Sequence, residues 1–135
     1  MQKAAFSIKN YQFDKIKIDL EQVNGNELNI DFKTTGIYHN KANSFELVFW
    51  VYVNQKEDSP FISIRCKGLF EFDAVSSFDD IPDFFFRNSI AILFPYVRAY
   101  LSLVTTQANI PGIILPTLNL SHLEKELREN TTITE

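Results

Sequence analysis

Residues 90–120 read IAILFPYVRAYLSLVTTQANIPGIILPTLNL, and the reading of this stretch decides the fold. With Phe86 just upstream, its first half places Ile90, Leu93, Val97, Leu101 and Val104 at intervals of three and four, the spacing of one helix face. Phe85, Ile92, Tyr96, Tyr100 and Leu103 populate the other sides. The helix expected over about 81–106 is therefore apolar nearly all round, and such a helix is buried on more than one face. An oligomer, a groove for another chain, or both would supply the cover. Pro95 lacks a backbone donor and crowds the preceding turn, so a kink is expected there, or even two helical pieces. The loop 107–119 carries Pro111, Gly112 and Pro116 around Ile113, Ile114 and Leu115, too apolar to lie free in water.

The flanks follow from the ends of that helix. Asp80 is the expected N-cap and Pro82 the first helical residue. Ser121-His122-Leu123-Glu124 matches a capping box opening a short helix over about 121–129. Leu120, Leu123 and Leu127 give it one apolar edge. The polar end, 130–135, is expected to fray.

Upstream, about 4–73, the period falls to two. Phe6 and Ile8, then Phe13, Ile16, Ile18 and Leu20, alternate with polar residues, and the slip between Phe13 and Ile16 predicts a bulge near Asp14. Asn24-Gly25 marks a turn. Leu28, Ile30 and Phe32 open a second strand that extends past Gly36 to Tyr38. The third, 45–53, is apolar on both faces and so wants cover on both. The fourth runs from Phe61 to Phe72, with Gly68 a bulge or a close approach. Four strands joined by short polar turns predict an antiparallel meander. The fold class is α+β: one domain, 1–135, with a four-stranded sheet, a long proline-kinked helix and a short C-terminal helix.

Composition narrows the function. Nineteen aromatics, thirteen of them Phe, exceed what one small helical layer can cover. A net charge of −4 with no basic run argues against nucleic acid. The N-terminal MQKAAFSIKNYQF has no apolar leader, and the longest apolar run, 89–97, is short for a membrane span. A cytoplasmic chain without membrane insertion is expected. His39 and His122 belong to no Cys/His cluster, Cys66 lacks a partner base, and no glycine-rich phosphate loop is present. Asp79, Asp80 and Asp83 suit a helix N-terminus better than acid–base chemistry. No catalytic residue, metal or cofactor is expected.

Ile92-Leu93-Phe94-Pro95-Tyr96-Val97-Arg98 resembles the Leu-Phe-Pro-Tyr-(Ala)-Arg motif in the long helix of the SecB protein-export chaperones. The loop 110–120 is similar to that family's Phe-Pro-x-Leu-x-Leu-x-Pro-Val-Asn-Phe loop. Pro95, Pro111 and Asn119 fall on family positions, Pro116 replaces a small residue, and Thr117 stands where the family has proline. Glu27 to Phe32, Glu46-Leu47-Val48 and Gly68-Leu69-Phe70 resemble its second, third and fourth strands more loosely.

The resemblance implies a holdase that binds unfolded or extended polypeptides in apolar grooves without ATP. It further implies a dimer of dimers (a homotetramer) formed through the first strand and long helix, and transfer of clients to the SecA motor in protein export. Groove candidates carried over are Leu28, Ile30, Phe32, Phe70 and Tyr96, flanked by Ile110, Ile113 and Leu115. The stripe Phe86, Ile90, Leu93, Val97 and Leu101 is the expected oligomer interface, and Asp19 the one matching acid for motor docking. Residues 128–135 do not match the cysteine-rich zinc tail of many members, and residues 61–64 carry no docking acid. Those departures weigh against motor coupling, and some relatives without that tail serve a single client such as an antitoxin, so general export and a dedicated client both stay open. The alternative is a structural or adaptor oligomer on the same fold.

Overall fold

The computed structural model describes residues 6–23, 28–55 and 60–135. Its strands are β1 (Phe6–Ile18), β2 (Asn29–His39), β3 (Ser44–Asn54), β4 (Ile62–Phe72) and β5 (Thr131–Thr134). The helices are α1 (Phe84–Gln107) and α2 (Leu120–Glu129), with 3-10 turns at Leu20–Gln22 and Phe78–Asp80. The fold is α+β, but the sheet has five strands in the order β1-β4-β3-β2-β5.

Two expectations are corrected here. Strands β2, β3 and β4 do form an antiparallel meander, yet β1 pairs with β4 rather than β2. Alternation identifies a strand without naming its neighbour, and the Asn24-Gly25 turn that suggested adjacency lies outside the described residues, as does most of the turn after β3. The C-terminal residues do not fray: Thr131–Thr134 pair in parallel with Gly36–His39. Their β-branched side chains suit that edge.

Local chemistry explains the rest. Register shifts fall at Ile8/Asn10 and Phe13/Lys15, so the bulge expected at Asp14 is present. There the Asp14 carboxylate accepts from Arg65 Nε at 2.8 Å, a bond that holds its pKa at about 2, below the usual carboxylate range. Gly68 is a close approach: a Cβ there would stand 3.2 Å from Leu93 Cδ1 on α1.

The helix starts two residues later than its first-position proline would set it. Asp83 stands at the N-cap without a side-chain capping bond, and Asp80 instead accepts from Ser76 N–H at 3.2 Å. Pro95 sits inside α1, which is assigned as one continuous helix. The cap of α2 is Asn119, whose Oδ1 accepts from His122 N–H at 3.1 Å, rather than Ser121. Glu124, expected to close a capping box, pairs with Arg87 at 3.2 Å and so ties α2 to α1.

The core lies between α1 and the inner sheet face. Phe86, Ile90, Leu93, Val97 and Leu101, expected at an oligomer interface, are all in it, none more than 3% exposed. The stripe was read correctly as apolar, but its cover is this chain's own sheet. By length and composition α1 could also cross a membrane, although its longest contiguous apolar run is short. In the fold, its buried face is committed to β3 and β4.

The second face of β3 needs no further layer. Its outer residues are Glu46, Val48, Trp50 and Tyr52; the Trp50 and Tyr52 rings stack 5.4 Å apart, and Arg65 lies 5.3 Å over the Trp50 ring. Long side chains of the neighbouring strand thus shield the apolar ones.

Candidate functional site

What α1 leaves uncovered defines the site. Its Tyr96 and Tyr100 rings stack on Tyr11 and Phe13 of β1 at 4.3 and 4.1 Å. Its opposite flank faces the loop between α1 and α2. That loop is pinned where buried Thr105 donates its hydroxyl to Leu101 O at 2.8 Å and accepts from Ile113 N–H at 3.1 Å. Asn109 begins the reversal with φ 65°. The next residues then alternate: Ile113 and Leu115 are buried, whereas Ile114 is 71% exposed.

Among the described residues, three hollows flank this loop. The first, of about 480 Å³, is lined by Leu20, Val23, Leu28, Phe61, Ile110, Pro111 and Ile113. Every lining side chain among the described residues is apolar. The second, of about 390 Å³, lies between Ala91, Phe94 and Arg98 of α1 and the stretch from Leu115 to Leu120. The third, of about 500 Å³, joins Phe94, Pro95, Arg98, Ala99 and Ser102 to Ile114.

The expected groove residues divide among these places. Leu28, Ile110 and Ile113 meet in the first hollow, and Leu115 lines the second. Ile30 and Phe32 are half-buried on the core, with the Phe32 ring 6.2 Å from that of Phe94. Tyr96 is 41% exposed but sits on the β1 side, away from the loop. Phe70 has no exposed surface, being enclosed by the rings of Phe6 and Phe85 at 6.0 and 5.6 Å. A groove role for Phe70 is therefore corrected to a core role. Asp19 caps its own turn, its Oδ1 accepting from Glu21 N–H at 3.1 Å. Leu20, Val23, Phe61, Phe94 and Arg98 were missed. Leu20, Val23 and Phe61 lie at strand ends, where an apolar residue reads as ordinary strand.

Among the described residues no group of three or more His, Cys, Asp or Glu could hold a metal. Cys66 is fully buried on β4, and burial pushes its thiol up to about 12, so it is not a poised nucleophile.

No family model matches the chain. The uncharacterized protein MJ0357 of Methanocaldococcus jannaschii is 34% identical over 142 positions, which span 96% of this chain and 91% of that protein. The chain belongs to the MJ0357 family. Among solved structures, the Mycobacterium tuberculosis SecB-like chaperone Rv1957 superimposes with a TM-score of 0.69 at 13% identity. The match covers 85% of this chain and 88% of that one, which was solved in complex with a ChAD peptide from the Rv1956 HigA1 antitoxin. The fold of this MJ0357-family chain is thus SecB-like.

Proposed function

We propose that this chain is an ATP-independent holdase, dedicated to one client or a narrow set, that takes extended apolar polypeptide into the hollows around the α1–α2 loop. The observation that carries this is the first hollow, a volume of about 480 Å³ whose lining side chains, among the described residues, are all apolar, at the end of a SecB-like sheet. Its size falls within the roughly 300–1,000 Å³ of ordinary ligand pockets. Extended chains present alternate side chains to such pockets, and a flexible rim lets one surface accept several sequences. The likeness to a chaperone solved with an antitoxin peptide supports a dedicated client over general export. A cytoplasmic setting belongs to the same proposal. The SecA motor does not, since Asp19 is engaged in its own turn.

Equimolar protein is expected to slow refolding or aggregation of a denatured client, with no change on adding ATP. No protection at a tenfold molar excess over several clients would remove the holdase reading.

Self-association is part of the proposal, with a different surface from the helix stripe. Tyr11, Ile16, Tyr96 and Leu103 remain 41–55% exposed along β1 and α1. Patches of this kind mark association sites when they are contiguous. Tyr96→Glu is expected to reduce the mass in solution to that of a smaller assembly, read by light scattering. An unchanged mass places the contact elsewhere. The same patch suits a purely structural oligomer, which would show this mass change and no affinity for unfolded chains.

A further inference from the structure

The second and third hollows share two side chains, Phe94 and Arg98. On α1, Ala91, Phe94, Pro95, Arg98, Ala99 and Ser102 follow one another at helical spacing and form a single stripe. The stripe is small or apolar except at Arg98, and it faces Ile114 and Leu115 of the loop. The two hollows therefore flank one cation in a channel whose other lining side chains are apolar except for the hydroxyls of Thr117 and Ser102.

That cation differs from the other arginines. Three of the four arginines hold carboxylates: Arg65 with Asp14, Arg87 with Glu124 and Arg128 with Asp83. Arg98 makes no hydrogen bond or ion pair with any described residue. An exposed arginine is content in water. A polypeptide lying along the stripe would strip water from its guanidinium, and two neutral hydroxyls do not neutralise a charge held against a largely apolar wall, which is costly. The occupant that fits must bring an anion, and a carboxylate matches the planar fork of arginine in two parallel bonds.

We infer that the α1–loop channel binds an extended client segment in which a carboxylate, flanked by apolar side chains, pairs with Arg98. The inference rests on the holdase reading and specifies its client: the segment is acidic and apolar together, and Arg98 selects it against neutral apolar chains. The carboxylate could belong to an Asp or Glu side chain or to a chain end, and the test separates the two.

The probes are three fluorescein-labelled nonapeptides, the first two capped at both ends. One carries leucines around a central glutamate, its twin carries glutamine there, and a third has the glutamine with a free C-terminal carboxylate. The wild-type protein is expected to bind the glutamate peptide about tenfold tighter than its glutamine twin, a difference that added salt reduces. In Arg98→Met that difference should disappear, and Arg98→Lys should restore part of it. Tight binding of the third peptide alone assigns the carboxylate to a chain end. Equal binding of the first two, with no gain for the third, overturns the inference, as does discrimination that survives in Arg98→Met. A fall in assembly mass on Arg98→Met also overturns it, because the channel would then be covered by a second copy. Client protection by the wild-type protein is measured on the same preparation. Protection without carboxylate discrimination sinks only this inference; absence of protection sinks the proposed function.

Discussion

Phe85→Ala is expected to lower the stability of the chain by about 3–5 kcal/mol, the range for deleting a buried phenylalanine. Phe85 is fully buried at the start of α1. Its ring meets Phe6 of β1 at 4.8 Å, Phe45 of β3 at 4.9 Å, and Phe70 and Phe72 of β4 at 5.6 and 4.8 Å. One side chain thus joins the helix to three strands, and partners on such rigid elements cannot collapse into the space it leaves. Against a typical total of about 5–15 kcal/mol, the loss leaves a marginal protein. Urea unfolding would show a midpoint moved well to the left with little change in slope. Phe84→Ala is the control. Phe84 is 52% exposed, and its replacement should cost under about 1 kcal/mol. Equal losses from the two variants would mean that the rotation of α1 against the sheet is wrong.

Leu28→Glu, combined with Ile110→Glu, is expected to weaken client binding at least tenfold, about 1.4 kcal/mol or more. Leu28 is 42% exposed, so in the free protein the new carboxylate stays in water and the fold tolerates it. A client entering the first hollow would bury two unpaired charges against Val23, Phe61 and Pro111, none of which can hydrogen-bond them through a side chain. The thermodynamic signature is a changed dissociation constant with an unchanged urea midpoint. Ile133→Glu, 57% exposed on β5 and outside all three hollows, should leave both quantities as in the wild type. Wild-type affinity in the double variant would show that the first hollow is not where clients sit.

Much of this fold is legible from periodicity. The alternation of Leu28, Ile30 and Phe32, the long β3 and the slip at Asp14 all report local geometry, and local geometry is what spacing encodes. Pairing is another matter. That β1 lies beside β4 depends on the path of residues 19–28 and on which inner faces fit together, and neither is written in the alternation of β1 itself. The end strand had a signal in Thr131, Thr132, Ile133 and Thr134, all β-branched, but three threonines and one isoleucine form a strand only because β2 offers them an edge. The stripe Phe86 to Leu101 shows a deeper limit. An apolar face has the same pattern whether it packs on its own sheet or on a second copy. The site was half visible for a related reason: Ile110 and Ile113 stood out between prolines, whereas Phe61, Leu20 and Val23 converge with them only once the sheet is closed. Arg98 read as part of a motif, and only the pairing of the other three arginines singles it out.

The position of Cys66 gives the chain an internal clock. It is the single thiol, opposite Phe13 of β1 on one side and Phe49 of β3 on the other. In the closed sheet both access and ionisation are withheld, with the thiol held at about 12. Alkylation can proceed only in those molecules where β4 has parted from a neighbour. The labelling rate of the unmodified protein therefore counts sheet openings, and a client that clamps the fold would slow it.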